Sequence, residues 1–577
     1  NYIISLLDGE LIMKIKETFE KVIINEDTMK DIEISLKRIL EELKSCPNFD
    51  KEKELIIEFN KVRDHYLTLY WISYIGYLKD TKDEKYLESE KLMGKYEPII
   101  NNLIYAYYKA LSSSKNKEKL EKFVGKRTLD TAANQARLKN EKTTSLQTRE
   151  KELCSKYQRL IIGTKFKFLD KEINLSSLNI YYNNDDRDLR KKAYDKRFEI
   201  LESLEKEMDV VIDELINVRN SIAKTLGFNS YSEMSFVKMN RLGYSKEDLA
   251  IFKDEIKKYV VPLFKLLKEQ QKERLGLEKL EYYDSNYLFK DGNAKIKGNL
   301  NDVLNNFKSV LKEHATVSYD LFCMMLDEGL IDLDNRENKS NGGITTYLPN
   351  YKVPLFIQKF VGLESNITSI FHEFGHSNQL YLSKDLLFHE NRWPTFDICE
   401  IHSTSMEYLM YPFMDLFFGS DEVKYKIKHL TNSLSLMINM AIADDFWSFV
   451  YDNNLDSKER KRKWLDIRRQ YNLDSYDNEY FKREVEYQAD TNRIIDPFYT
   501  IDYAIDNVLA LSFYKKEKED IKDAFDLYIK LCKDGGTLSL KEIIKKYNLD
   551  NPFEKDALKD MCDIIKEDIK ILSLKRK

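Results

Sequence analysis

Turn-forming residues are scarce in this sequence. Of 577 residues, 18 are glycine and 9 proline, roughly 3% and under 2% against averages of about 7% and 5%. So few turn residues exclude the many tight hairpins of an all-β fold, and collagen-like or low-complexity chains as well. Cysteine is sparse and scattered: Cys46, Cys154, Cys323, Cys399, Cys532 and Cys562 form no CxxC pair. That leaves neither a disulfide framework nor a cysteine zinc site, and free thiols in a reducing compartment are expected. No uninterrupted apolar run reaches the length of about 18 needed to span a bilayer; the most apolar stretch, 406–418, is cut by Glu407 and Asp415. An excess of one charge is also missing. The 93 basic and 98 acidic residues leave a net charge of −5, which argues against a nucleic-acid partner. The start, Asn1-Tyr-Ile-Ile-Ser-Leu-Leu-Asp8, lacks the basic region of a signal peptide. A cytoplasmic protein with no membrane partner is expected. Met13 is the expected native start, with 1–12 a non-native or mis-started leader.

What is present is helix-forming. Hydrophobic residues make up 42% of the chain and charged residues 33%, enough for a sizeable core in a soluble protein. Within 10–44, Ile32, Leu36, Ile39, Leu40 and Leu43 recur three or four apart, the period of an amphipathic helix. Similar patterns run through 51–78, 86–111 and 188–226. The polar segment 112–155 is rich in helix formers and predicts exposed helices. No period of a solenoid repeat is visible. Strand signals are few: 164–173 and 280–296 predict short hairpins, and Gly342-Gly343-Ile-Thr-Thr-Tyr347 predicts a strand. From about 364 onward the pattern is almost wholly helical. The expectation is one continuous, mainly α body with small β inserts. It has an N-terminal helical region at 13–160 and a catalytic region at 161–577, with no sharp boundary.

Two of only seven histidines fall in His372-Glu373-Phe374-Gly375-His376, an HExxH pattern. Residues i and i+4 share a helix face, so both imidazoles can reach one ion. Asn366 is the expected N-cap of a helix over about 367–382. Gly375 is unfavourable inside a helix by about 1 kcal/mol relative to Ala, which is tolerable if something approaches the backbone closely there. Glu373 is placed to act as general base on a metal-bound water. A zinc site of this type needs a third protein ligand, and the candidate is Glu400, 24 residues after His376. It lies in a predicted second helix over 397–407, where a buried carboxylate needs a partner. Glu407, two turns on, is either an acceptor for a ligand imidazole or a surface or ion-paired carboxylate. His402 points elsewhere on that helix, as a core or substrate-contacting histidine.

His372-Glu-Phe-Gly-His-Ser-Asn-Gln379, Glu400-Ile-His-Ser-Thr-Ser-Met-Glu407 and Pro497-Phe-Tyr-Thr-Ile-Asp-Tyr-Ala504 resemble the thimet-oligopeptidase family of zinc metallopeptidases, in its oligoendopeptidase F branch. Asp185-Asp-Arg187, Arg190, Ala223-Lys-Thr-Leu-Gly-Phe228, Tyr282-Tyr-Asp284 and Gly342-Gly343 fit the same branch. The resemblance covers roughly 60–565. It implies a zincin-like, two-lobed helical ellipsoid with a deep channel and one zinc ion per chain at its floor. It also implies oligopeptide substrates, since folded proteins cannot enter such a channel. Carried over by motif, His372, His376 and Glu400 are ligands, Glu373 is the base, and Tyr499 and Tyr503 face the substrate, where a phenol O–H can stabilise the developing oxyanion. The 342–347 strand would offer backbone groups to an extended peptide. One position departs from the family: its usual histidine about five residues before Pro-Phe-Tyr is Asn492 here, followed by Arg493.

Two other readings stay open. One is an exo-acting zinc peptidase that holds a chain terminus through Arg392 or Arg493. The other is a non-catalytic helical peptide-binding protein with an incidental HExxH.

Overall fold

The amphipathic segments become helices with side-chain caps at their N-termini. In the computed structural model, which describes residues 22, 24–340, 342–473 and 476–575, the first of them is Glu26–Lys44. Asn25 Oδ1 accepts from Thr28 N there, and Ile32, Leu36, Ile39 and Leu40 are buried. Phe49–Lys79 follows an Asn48 cap, Glu84–Ser112 an Asp83 cap, and the long helix Arg187–Thr225 an Asp186 cap. The leader expected at 1–12 lies outside the described residues. The polar segment is helical, as Lys117–Val124, Lys126–Arg137 and Thr144–Ile162. It is less exposed than expected, because Leu120, Val124, Ala132 and Leu153 are buried.

Two small sheets interrupt the helices. Strand β1 (Lys165–Phe168) pairs antiparallel with β2 (Lys171–Asn174). Their turn residues Leu169 and Asp170 both have positive φ, 49° and 62°, the twist that a two-residue hairpin needs. The second sheet holds β3 (Ile331–Asp332), β4 (Ile344–Leu348) and β5 (Val353–Ile357) in the order β3-β5-β4. β5 is parallel to β3 and antiparallel to β4, so β4 is an edge strand.

The hairpin expected at 280–296 does not form. A short 3₁₀ turn, Tyr282–Asp284, leads into irregular chain. Side chains take over the hydrogen bonds that a strand ladder would have used. Gln271 Nε2 donates to Asp284 O at 2.8 Å and Tyr287 O at 2.9 Å, and Arg190 Nε donates to Tyr283 O at 3.0 Å. With the backbone satisfied in this way, nothing drives a ladder.

Two apolar cores result. The larger runs through the helices and strands from Ile72 to Ile569. The smaller packs the N-terminal helices around Leu36, Phe59, Tyr107 and Leu120, and includes Phe388 from far along the chain. The short helix His389–Arg392 ties the N-terminal helices to the segment between the two helices that build the site. Arg63 Nη1 lies 2.6 Å from Glu390 Oε1, with both side chains buried, and Tyr108 OH donates to the same oxygen at 2.8 Å. Arg392 Nη2 meets Asp64 Oδ1 at 2.5 Å. Burial alone would raise the Glu390 pKa, but the Arg63 guanidinium holds it well below the ordinary carboxylate range. Glu390→Ala strands the Arg63 charge in the interior, and a loss of about 3–5 kcal/mol is expected. A urea midpoint within error of wild type would show that this pair does not hold the N-terminal helices in place.

All six cysteines are free. No helix among the described residues is long and apolar enough to cross a membrane.

Candidate metal centre and catalytic groups

The HExxH residues sit on a helix spanning Glu364–Leu382, three residues longer at its start than expected. Asn366 is therefore not the N-cap. It sits in the first turn and caps from inside, its Oδ1 accepting from Leu363 N at 3.1 Å and Val361 N at 2.9 Å. One turn apart, His372 and His376 present their rings at 4.9 Å between centroids.

Glu400 comes from a second helix, Phe396–Leu409. Its Oε2 lies 3.1 Å from His372 Nε2 and 3.3 Å from His376 Nε2. Donor atoms of the three all fall within 4.8 Å of one another. Tetrahedral zinc with bonds of about 2.0–2.2 Å sets its ligand atoms roughly 3.4 Å apart, so these donors fit a zinc ion in spacing and in chemistry. Burial would push the Glu400 carboxyl up, yet the His376 and His372 imidazoles hold it well below its ordinary value. The reverse applies to His372: burial would lower it, and Glu400 and Glu407 raise it well above 6.5. Glu400 is further held by Ser403 Oγ, which donates to Oε2 at 2.7 Å, and by its own backbone N–H, which donates to Asp506 Oδ2 at 3.0 Å.

The two helices meet backbone to backbone at Gly375. A Cβ there would stand 2.6 Å from Ser403 Cα and 2.7 Å from His402 O. This is the close approach that a glycine in mid-helix suggested, and it brings Glu400 opposite the histidine pair. Tyr528 OH, from the helix Ile521–Asp534, donates to His402 O at 2.9 Å and clasps the same junction.

Glu373 is held against the second sheet. Thr345 Oγ1, on β4, donates to Glu373 Oε2 at 2.6 Å. A Cβ on Gly343 would come within 2.9 Å of Glu373 Oε1, so the glycine leaves room for the carboxylate. Glu407 proves to be buried, and its Oε1 lies 2.7 Å from His372 Nδ1. It is therefore a buried acceptor for the His372 imidazole and not a surface carboxylate.

The tyrosines also converge. Tyr503 lies in the helix Ile501–Glu519, while Tyr499 precedes it, so the two do not share a helical face. Their hydroxyls nevertheless meet at 3.0 Å. Burial pushes both phenols above their ordinary value, and the Glu400 charge adds to it, so both keep their protons as donors. His402 is fully buried, with Nδ1 3.4 Å from Cys399 O. Burial lowers it to about 4, and it is a core histidine. Asn492 is exposed. Arg493 lies 3.0 Å from Asp490 and Arg392 is paired with Asp64.

Three groups escaped the sequence reading: Thr345, Asp506 and His429, whose Nε2 lies 2.7 Å from Glu407 Oε2. Thr345 sat inside the predicted strand, where alternation could have singled it out. His429 and Asp506 carry no local spacing signal.

The Peptidase family M3 profile matches residues 180–562, and the Peptidase M3 N-terminal domain profile matches 19–138. Among solved structures, PZ peptidase A with inhibitor 2 is 33% identical with a TM-score of 0.89, over 96% of this chain and 99% of that one. A Bacillus anthracis structure assigned as an oligoendopeptidase F is 30% identical with a TM-score of 0.85, over 96% and 98%. An oligoendopeptidase F homolog from Borreliella burgdorferi is 24% identical over 410 residues, 65% of this chain. The match spans 62% of that relative's length.

Proposed function

Because the chain belongs to peptidase family M3, we propose that it is a zinc-dependent oligoendopeptidase that hydrolyses internal bonds of short peptides. The observation that carries this reading is the convergence of His372 Nε2, His376 Nε2 and Glu400 Oε2 beside a Glu373 carboxylate held by Thr345. His372, His376 and Glu400 would hold one zinc ion. Zinc, when bound, supplies Lewis acidity toward the scissile carbonyl and acidifies water. Glu373 takes a proton from the attacking water and carries it to the leaving amine. Of the Tyr499 and Tyr503 hydroxyls, protonated and hydrogen-bonded to each other, the one not donating to its neighbour is the donor for the developing oxyanion. Edge strand β4 offers its free backbone groups to an extended peptide, which sets the substrate alongside Glu373. No covalent enzyme intermediate is required.

In this reading residues 161–577 carry the chemistry, and the described residues of 13–160 form the N-terminal helical region. The substrates are oligopeptides, with no nucleic-acid or membrane partner, and the setting is cytoplasmic. Exo-action gains no support, because the two arginines that would anchor a chain terminus are engaged by Asp64 and Asp490.

The test is product analysis of one long peptide by mass spectrometry, with and without a chelator, followed by zinc add-back. Internal cuts that vanish with the chelator and return with zinc are expected. Terminal trimming alone, or cleavage indifferent to chelation, would sink the proposal, and a chain that retains no zinc after dialysis would be a peptide binder instead.

A further inference from the structure

We propose that His429 and Tyr411 are positioning residues for His372, acting through Glu407 to aim its Nε2 at the metal site. This rests on reading His372, His376 and Glu400 as zinc ligands. The Glu407 carboxylate bridges two imidazoles, with Oε1 2.7 Å from His372 Nδ1 and Oε2 2.7 Å from His429 Nε2. An ionised carboxylate only accepts hydrogen bonds, so both ring nitrogens facing it carry protons. In the neutral imidazole that a metal would require, the proton held at Nδ1 by Glu407 leaves the lone pair at Nε2, the nitrogen that faces Glu400. At the far side of His429, Tyr411 OH lies 2.6 Å from Nδ1. Burial pushes the Tyr411 phenol well above its ordinary value, so its O–H remains a donor. The chain of bonds is then complete: Tyr411 O–H to His429, His429 N–H to Glu407, and His372 N–H to Glu407.

The surroundings set this apart from ordinary aromatic packing. Three tyrosine rings wall His429: Tyr408 at 5.4 Å, Tyr411 at 5.5 Å and Tyr425 at 5.6 Å. The Tyr408 hydroxyl is taken by Ser433 Oγ at 2.9 Å and Asn507 Oδ1 at 3.1 Å, and the Tyr425 hydroxyl by Thr368 Oγ1 at 2.9 Å. Of the three, Tyr411 alone directs its hydroxyl at the imidazole. His429 belongs to the helix Glu422–Asn453, and Thr368 lies one turn before His372. That helix is thus tied to the HExxH helix through Tyr425 and Thr368, through Glu407, and through the Lys428–Glu364 ion pair. Without His429, Oε2 of a buried carboxylate loses its partner and the carboxylate is free to turn away from His372.

The test measures zinc affinity of the full chain by competition with a chromophoric chelator, for wild type, His429→Leu, His429→Gln and Tyr411→Phe. Loss of an outer partner of a ligating histidine typically weakens metal binding about 10–100-fold. His429→Leu is expected near the lower end of that range. His429→Gln, whose amide N–H can replace Nε2–H, is expected to recover most of the loss, and Tyr411→Phe to show a smaller weakening. Melting of the metal-free proteins is recorded alongside. Equal zinc affinities in all four proteins overturn the relay, as does a glutamine variant no better than the leucine variant. Wild-type protein that binds no zinc overturns the underlying site assignment instead.

Discussion

Glu373→Gln is expected to lower kcat for oligopeptide hydrolysis by about 10²–10⁴-fold, the usual contribution of a general acid–base group, with zinc content unchanged. The substitution keeps the shape of the side chain. Thr345 Oγ1, now 2.6 Å from Glu373 Oε2, can still donate to an amide oxygen, and Gly343 still leaves space beside the other atom. The amide, however, cannot take a proton from water. Glu373 is not among the three converging donors, so metal binding has no reason to change. Full activity in a zinc-loaded Glu373→Gln protein would remove this residue from the mechanism. Loss of zinc together with activity would show that its role is structural.

Gly375→Ala is the second large effect, and its sign distinguishes two arguments. Helix propensity favours Ala over Gly by about 1 kcal/mol, so considered as an isolated helix the variant gains stability. Packing opposes this. The new methyl meets Ser403 Cα at 2.6 Å and His402 O at 2.7 Å, and both are backbone atoms that cannot swing aside. The two helices must part, and with them Glu400 leaves its place opposite His372 and His376. Overpacking of this kind costs about 1–3 kcal/mol, and displacement of a ligand's support weakens metal binding by about 10–100-fold. A lower melting temperature and weaker competition for zinc are expected together. A stabilised variant with unchanged zinc affinity would mean that the backbone contact at Gly375 does not govern the site.

The parts of the site that could be read from the sequence are those within one helical turn or on one helix face. His372 and His376 share a face because of helix geometry alone, and the mid-helix glycine signalled a close approach before its partner was known. Glu400 and Glu407 follow the same logic on the next helix. The hairpin expected at 280–296 failed for a different reason. Its turn residues read correctly as a break, but the segment's hydrogen bonds went to Arg190 and Gln271, distant in sequence. The strand after Gly342 held because β5 supplied a partner a few residues later. The i, i+4 spacing of Tyr499 and Tyr503 would set them on one face only if the whole segment were helical, and the helix begins at Ile501. They meet instead through a turn that ends where the helix begins.

The sequence by itself determined the helical architecture and the local geometry of the histidine pair, because periodicity and i, i+4 spacing follow from covalent structure and burial. It also marked Glu400 as a carboxylate needing a partner, Glu373 as a candidate base and Glu407 as a candidate acceptor. Only the tertiary structure decided which partners they have. The contacts that fix Glu407 to His429, Glu373 to Thr345 and Arg63 to Glu390 join residues 22, 28 and 327 positions apart. Such contacts depend on how whole elements pack, and side-chain chemistry at long separation leaves no periodic trace in the chain.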